Sequence, residues 1–355
     1  MRLIHVQKRD GLERKGFTLI ELLVVITIIG ILMALTLGVI SKVYAYLDEV
    51  KVVSEVNKLA QGCEQFKSTF GRYPPSRIIL CENTATYASI ISGAILPPPA
   101  SGLTNAQFQA LAAFSTEYLS AIFPNINLNG ASHNWDGSLA GVTPTIDAAG
   151  VYTILEGQHC LVYFLGGIRY NGSDPSGFNT DKTNPTAQTT GARLGSFFVF
   201  DAARLNTTAA FSSTTFPSYN DVYGTPYAYF AAKFPGTNNY PNAYVPTSLA
   251  MVNDCYNLTT TGTVNFVPYF SSSVPPTPPA GWAAAISFKF HKPDTYQVIS
   301  AGKDKQFGTG GQFNQTDPEQ SLFIPTSVLP AVTIDMLQAN YDNITSVTNG
   351  RVVPK

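Results

Sequence analysis

A single long apolar run near the N-terminus constrains this chain more than any other feature. Residues 17–40 carry one charge, Glu21, and they follow a leader, residues 1–16, that has five basic and two acidic side chains. At about 1.5 Å per residue a helix of this length measures roughly 36 Å, which exceeds the ~30 Å hydrocarbon core of a bilayer. Because the basic residues precede the run, we expect the leader to stay cytoplasmic and the rest of the chain to face out.

Two ordinary explanations of this run are incomplete. It is longer than the apolar region of a secretory signal, and no small-residue cleavage site follows it. A plain signal anchor fits the length but does not explain Glu21, because a carboxylate in lipid costs a few kcal/mol unless it is paired. No Lys or Arg lies within helical reach on its C-terminal side. If the chain were cut between Gly16 and Phe17, the new α-amine of a neighbouring subunit could be the partner.

The eleven residues GFTLIELLVVI, 16–26, resemble the class III signal of type IV pilins and type II secretion pseudopilins. The resemblance implies that prepilin peptidase, a membrane aspartyl peptidase, cuts after Gly16 and then N-methylates Phe17. It also implies that Glu21 neutralises the amine of a neighbouring Phe17 during filament assembly. Gly16, Phe17 and Glu21 are therefore the predicted processing and assembly residues.

The helical pattern continues beyond the apolar run. Apolar residues recur every three or four positions, with charged residues on the other faces. They are Val43, Leu47, Val50, Val53, Val56, Leu59, Cys63, Phe66 and Phe70. The first proline is Pro74, and Gly71 suits a helix end. We predict one helix over residues 17–70, in which residues 17–40 form the transmembrane or filament-core half and residues 41–70 the amphipathic half.

The remainder, residues 71–355, is predicted to form an exoplasmic body rich in loops. Patterning predicts helices at 104–122 and 155–165 and strands at 196–200, 226–230, 263–270, 284–290 and 295–300. Residues 291–294 are predicted to join the last two strands as a hairpin. The apolar stripe of residues 41–70 needs a covering surface, and a sheet from this body is the natural one. The predicted fold is α+β, a long N-terminal helix packed on an antiparallel β-sheet, which is the lollipop architecture of pilins.

Composition and motifs argue against several functions. The net charge of −1 gives no electrostatic reason to expect nucleic acid as a partner. The sequence has no P-loop and no G-x-S-x-G motif, and the body histidines lack the spacing of metal ligands. His159 lies in an apolar segment and is predicted to be a core residue. We therefore expect no enzymatic activity.

The C-terminal region carries a weaker resemblance. Residues 295–304, followed by the glycine-rich residues 308–311, resemble the strand and loop of the major type II pseudopilin, where a Ser-x-Gly-x-Asp segment binds calcium. The resemblance implies calcium ligands at Ser300, Asp304, Asp342 and Asn343. About thirty residues separate Gly311 from Asp342, and Asn343 stands where the family has a carboxylate. Because Ca²⁺ takes 6–8 oxygen ligands, Asp317 or Glu319 could complete the set. The alternative is a solvated turn, and no other cofactor is expected.

The chain has four cysteines. Export would place the body in an oxidising compartment, where disulfides persist. A bridge between Cys63 and Cys81 would tie the loop after the long helix back onto it. Four cysteines allow three pairings, and the alternative is four buried thiols.

Three functions remain open. The first is a structural subunit of a type II secretion pseudopilus or a type IV pilus, and the C-terminal loop favours the pseudopilus. The subunit would cross the inner membrane once with a periplasmic body. Its expected partners are prepilin peptidase, other pilin or pseudopilin subunits, the inner-membrane assembly platform and membrane lipid. The second is a minor or tip pilin that binds a surface or an exported protein, which the length of the chain favours. The third is a membrane-anchored exoplasmic enzyme, and the large size of the body is the one feature that favours it.

Overall fold

The computed structural model describes thirteen segments of the chain. They are residues 17–98, 103–129, 132–135, 152–168, 175–187, 192–206, 216–231, 267–270, 291–292, 295–307, 310–312, 343–346 and 350–351. The chain divides into two compact units, Met1–Asp48 and Glu49–Lys355. The fold is α+β, as predicted, because an apolar N-terminal helix is followed by a body of helices and small, mostly antiparallel sheets.

Helix α1 spans Leu19–Phe70, 52 residues without a break. The prediction of one continuous helix over residues 17–70 is confirmed to within two residues. The helix ends where Gly71 adopts a φ of 78°, a left-handed conformation that glycine takes without steric cost. The amide of Gly71 donates to the carbonyl of Lys67 at 2.7 Å, which closes the last turn.

In the first unit, the part of α1 between Glu21 and Lys42 carries no charged residue. The window Leu19–Thr36 has a mean hydropathy of 2.7, and none of it is buried within the protein. Among the described residues this is the one helix long and apolar enough to cross a membrane. A helix that is apolar all round needs an apolar environment on all sides, which a bilayer or a bundle of like helices supplies.

In the second unit, α1 contributes one face to the core of the body. The buried stripe consists of Val52, Val56, Leu59, Cys63 and Phe66. Their spacing of three or four residues places them on one side of the helix. Val43, Leu47 and Val50, which were predicted on this stripe, are 49%, 45% and 45% exposed, so the buried stripe begins at Val52.

The elements of the body follow in chain order. The helices are α2 Ala85–Ile91, α3 Asn105–Ile122 and α4 Gly157–Gly166. The strands are β1 Arg77–Cys81, β2 Tyr152–Glu156, β3 Leu205–Asn206, β4 Ser218–Tyr219, β5 Ala228–Ala231, β6 Val267–Phe270, β7 Tyr296–Ser300, β8 Gly310–Gln312, β9 Ile344–Thr345 and β10 Gly350–Arg351.

The largest sheet has the strand order β10-β9-β7-β5, and all of its pairs are antiparallel. Two further antiparallel pairs, β1–β2 and β3–β4, and one parallel pair, β6–β8, complete the described sheets. In the largest sheet Ser300 of β7 lies opposite Ile344 of β9. The chain therefore brings together two segments that are more than forty positions apart in the sequence.

The two predicted body helices are present with one shifted boundary. Helix α3 is preceded by Thr104, whose hydroxyl accepts from Gln107 while the Gln107 side chain accepts from the Thr104 amide, a capping box. Helix α4 begins at Gly157, not at residue 155, because residues 152–156 form strand β2 against β1. It ends at Gly167, where φ is 80°.

The strand predictions have mixed outcomes. Strands β5 and β7 confirm the predictions for residues 226–230 and 295–300, and β6 forms the last part of the predicted strand 263–270. The predicted strand 284–290 and half of the 291–294 turn lie outside the described residues. Residues 196–200 are irregular, so that prediction was wrong. The amides of Phe197 and Phe198 both donate to the carbonyl of Leu165, at 2.7 and 3.3 Å, whereas in a strand ladder consecutive amides point to opposite sides.

Cys63 and Cys81 are buried thiols, so the Cys63–Cys81 disulfide proposed from the sequence is not formed in this structure. Cys63 lies on the buried stripe of α1 beside Tyr229, and burial raises the pKa of its thiol well above the ordinary value. Cys81 ends β1, and its amide donates to the hydroxyl of Tyr87 at 3.2 Å. Burial raises the pKa of Cys81 to about 12. Cys160 is likewise buried, and Cys255 lies outside the described residues.

Candidate processing and assembly segment

The predicted processing site lies at the edge of the described chain. Gly16 lies outside the described residues, and Phe17 is the first residue within them. The Phe17 side chain is 79% exposed, and the next two residues are exposed as well. A peptidase could therefore approach the bond before Phe17 without unfolding any of the described body.

Thr18 and Glu21 form a capping box at the start of α1. The Thr18 amide and hydroxyl each donate to Glu21 Oε2 at 2.8 Å. The Glu21 amide donates in return to Thr18 Oγ1 at 3.3 Å. A threonine followed three residues later by glutamate satisfies amides that the first turn of a helix leaves without partners. Sequence reasoning missed this role for Thr18, although the spacing Thr-x-x-Glu is a local signal that could have revealed it.

The Glu21 carboxylate is placed where negative charge is favoured. It lies in the first turn of α1, next to the positive end of the helix dipole. Among the described residues no basic side chain pairs with it, and Oε1 accepts no hydrogen bond there. The capping box therefore uses one carboxylate oxygen and leaves the second available to an incoming cation. A free α-amine on another chain has the charge and the N–H donors to fill that position.

A second set of polar contacts fastens α1 to the body at Glu55. Glu55 Oε2 accepts from Tyr227 at 2.6 Å and from Arg204, and Oε1 accepts from Tyr219 at 2.9 Å. The Arg204 guanidinium also lies 4.5 Å from the centre of the Tyr219 ring. The Glu55–Arg204 pair is mostly buried. One helix carboxylate thus binds side chains from three places in the body.

A comparable contact forms at Glu64. The hydroxyl of Tyr73 donates to both Glu64 oxygens at 3.1 and 3.0 Å, and Tyr296 donates to Oε1 at 3.1 Å. At 100° per residue, nine positions bring Glu55 and Glu64 to opposite sides of α1. The two carboxylates therefore lie on either side of the buried stripe. The sequence analysis did not identify this role for the tyrosines.

The predicted calcium ligands are only partly brought together. Ser300 ends β7, and Asn343 directly precedes β9, which pairs with β7. The Ser300 hydroxyl donates to Asp221 Oδ2 at 2.6 Å, and Asp304 is exposed and accepts from the Gln306 amide at 2.8 Å. Asp342, Asp317 and Glu319 lie outside the described residues.

The described residues leave one buried oxygen near this position without a partner. Asn343 is fully buried, its amide nitrogen donates to Tyr269 and Phe307, and its Oδ1 accepts no hydrogen bond from any described residue. The Ser300 hydroxyl already donates its hydrogen to Asp221. In the described part of the chain, no three His, Cys, Asp or Glu side chains are arranged to hold a metal. Calcium binding at Ser300, Asp304, Asp342 and Asn343 therefore stays a prediction.

The body histidines do not form a site. His159 is buried on α4, neither of its ring nitrogens is hydrogen-bonded to a described residue, and burial lowers its pKa to about 4. It is therefore neutral at physiological pH, and its buried position agrees with the core role predicted for it. The Nε2 of His133 lies 2.9 Å from the Asn127 carbonyl oxygen, and its ring lies against Trp135.

The comparison with known families identifies the N-terminal segment. The family described as "Prokaryotic N-terminal methylation motif" matches residues 13–37. This match includes Gly16, Phe17 and Glu21 and the first part of α1, and it is the signal of type IV pilins and pseudopilins. The motif implies processing by prepilin peptidase and assembly with other pilins. No curated protein and no solved structure matches the chain.

Proposed function

We propose that this chain is a structural subunit of a pilus-like filament, cut after Gly16 and assembled through α1. The observation that carries the proposal is the methylation motif at residues 13–37, which continues into an exposed apolar helix with one carboxylate in its first turn. Such a helix can occupy a bilayer before assembly and the apolar centre of a filament afterwards. The body would lie on the exoplasmic side of the inner membrane, because the basic residues precede the helix.

Assembly through α1 follows from the charge at Glu21. A lone carboxylate in an apolar setting is costly, and its pairing with a cation removes much of that cost. Cleavage after Gly16 creates an α-amine at Phe17 on every subunit. A neighbouring subunit that brings its amine to Glu21 would neutralise both charges, so the pairing favours subunits in contact over isolated ones.

Among filament types, we infer a type II secretion pseudopilus. The supporting observation is the pairing of β7 with β9, which brings the two segments of the predicted pseudopilin calcium region, Ser300 and Asn343, to neighbouring strands. A minor or tip pilin is the second candidate, and the large body of helices and several small sheets favours it.

The assembly step is tested with Glu21→Leu in the native host. We expect the variant to insert in the membrane and to be processed, but to form no filaments by electron microscopy or in the sheared fraction. Thr27→Val is the matched control, since Thr27 lies on the same exposed helix and its hydroxyl bonds only its own turn, at the Val24 carbonyl. Normal filaments from Glu21→Leu would contradict the proposed assembly through this carboxylate.

A further inference from the structure

Two exposed tyrosines lie on α1 where its sequence changes from apolar to charged. The window Leu19–Thr36 has a mean hydropathy of 2.7. Lys42 is the first charged residue after this window, Tyr44 and Tyr46 follow, 66% and 65% exposed, and Asp48, Glu49 and Lys51 come next. Tyrosine is enriched at the membrane–water interface, and a lysine near the end of a membrane helix extends its ammonium to that interface, so this is the composition expected where a chain leaves a bilayer.

The two tyrosines point away from each other. Two positions along a helix correspond to a rotation of about 200° and a rise of about 3 Å. Tyr44 and Tyr46 therefore lie at nearly the same depth on opposite sides of α1, and their exposed fractions are almost equal. A single partner helix covers one face of α1, so at least two protein surfaces would be needed to cover both tyrosines, whereas a bilayer interface surrounds the helix at one depth. The arrangement thus favours lipid as the partner.

The distance from the processing site fits a bilayer. From Phe17 to Tyr44 the helix rises through 27 residues, which is about 40 Å at 1.5 Å per residue. A bilayer with its headgroup regions measures about 40–45 Å. When Phe17 lies at the cytoplasmic interface, Tyr44 and Tyr46 therefore reach the headgroups of the outer leaflet. There the ring of a tyrosine contacts acyl chains while its hydroxyl contacts water and lipid esters.

We propose that Tyr44 and Tyr46 form an interfacial belt that binds the headgroup region of the outer leaflet and fixes the depth of α1 before assembly. The belt rests on the proposed membrane insertion of this helix. It places the bilayer boundary about eight residues beyond the apolar window that ends at Thr36.

Depth-dependent fluorescence quenching tests the belt in the full chain. Variants Tyr44→Trp, Tyr46→Trp, Met33→Trp and Lys51→Trp are reconstituted in phosphatidylcholine vesicles whose acyl chains carry bromine either near the headgroup or near the chain end. The emission of the parent, which has Trp135 and Trp282, is subtracted. We expect shallow bromine to quench both tyrosine variants more strongly than deep bromine does. The Met33→Trp variant should show the reverse order, and the Lys51→Trp variant little quenching by either.

Other outcomes separate the belt from the proposed function. If Met33→Trp is quenched while neither tyrosine variant is, the belt is wrong and membrane insertion stands. If only one tyrosine variant is quenched, the other position does not contact the headgroup region, and the belt is also overturned. If Met33→Trp is not quenched, α1 does not enter the bilayer, which overturns both the belt and the membrane step of the proposed function.

Discussion

The amide and the hydroxyl of Thr18 both donate to the same oxygen of Glu21, each at 2.8 Å. This carboxylate therefore caps its own helix, and the assembly proposed above gives it a second role toward the amine of a neighbouring subunit. The two roles are compatible because the cap uses one carboxylate oxygen and the proposed pairing uses the other.

Thr18→Ala should loosen the first turn of α1. The change removes the hydroxyl that accepts from the Glu21 amide and donates to its carboxylate. Loss of an N-cap side chain costs about 1 kcal/mol, which corresponds to roughly fivefold faster hydrogen exchange where exchange follows local opening. We expect this acceleration at the Glu21 amide, measured by exchange on the full chain in detergent, and Thr18→Ser should restore the slower rate.

Thr27→Ala is the control for this experiment. The Thr27 hydroxyl donates to the Val24 carbonyl within the helix and caps nothing. Its replacement should leave exchange at Glu21 unchanged. If Thr18→Ala and Thr27→Ala had equal effects at Glu21, the capping box would not be what holds the carboxylate.

Glu55→Ala should destabilise the body strongly. The change leaves the Arg204 guanidinium and the hydroxyls of Tyr219 and Tyr227 without their shared acceptor in a mostly buried position. Removal of one partner from a buried ion pair costs about 3–5 kcal/mol, and partial exposure places the expected loss near the lower end, about 3 kcal/mol. Chemical denaturation of the full chain in detergent measures the free energy of unfolding.

Glu117→Ala offers a matched comparison. Glu117 pairs with Arg72 at 3.5 Å, and both side chains are substantially exposed. Exposed ion pairs contribute about 0–1 kcal/mol, so this variant should unfold almost like the parent. Equal losses from the two variants would show that Glu55 is only another surface ion pair.

Stability should fall with acid because of His159. Burial lowers its pKa from an ordinary 6.5 to about 4, so the folded state holds this ring neutral. Above pH 6.5 the ring is neutral in both the folded and the unfolded state. As the pH falls from 6.5 toward 4, only the unfolded state binds a proton, so the free energy of unfolding decreases. The total loss is roughly 3 kcal/mol, at about 1.4 kcal/mol per pKa unit.

The His159→Leu variant isolates this contribution. Carboxylates also titrate in the same range, so the relevant quantity is the difference between parent and variant in unfolding free energy at several pH values. We expect the variant to lose less stability than the parent between pH 6.5 and 4. Parallel pH profiles for the two proteins would contradict the assignment of a buried neutral His159.

The calcium prediction is tested by thermal melts in excess Ca²⁺ and in chelator. If the segment around Ser300 and Asn343 binds the ion, the parent should melt higher in Ca²⁺, because a ligand that binds only the folded state stabilises it. Asp304→Ala should reduce the difference. If the parent melted at the same temperature in Ca²⁺ and in chelator, the calcium prediction would be wrong.

Local patterns predicted three of the four described α-helices and missed the short helix α2, Ala85–Ile91. Helix α1 follows from an apolar run that continues as a stripe with a spacing of three and four residues and stops at Gly71. Helix α3 has the same kind of stripe, and Pro124 follows its end. The Thr18–Glu21 box was also visible in the sequence, because its two residues are only three positions apart.

The contacts that position α1 in the body could not be predicted in this way. Glu55 and Tyr227 are 172 positions apart, and Glu64 and Tyr296 are 232 apart. Nothing in the local spacing of a glutamate or a tyrosine shows which distant residue it will meet. The same limit explains the wrong strand at residues 196–200, since tertiary packing overrides their strand propensity: Phe197 packs on Phe66 and Phe70 of α1, and Phe198 and Phe200 pack on Tyr219 of β4.

The central claim is that this chain is a processed filament subunit, and the N-terminal peptide mass of the protein from its native membrane tests it most directly. The account predicts a mature chain that begins with N-methylated Phe17, so that every subunit carries the amine expected to meet Glu21. A chain that still begins at Met1, in cells where prepilin peptidase is active, would contradict the account and leave a membrane-anchored exoplasmic domain.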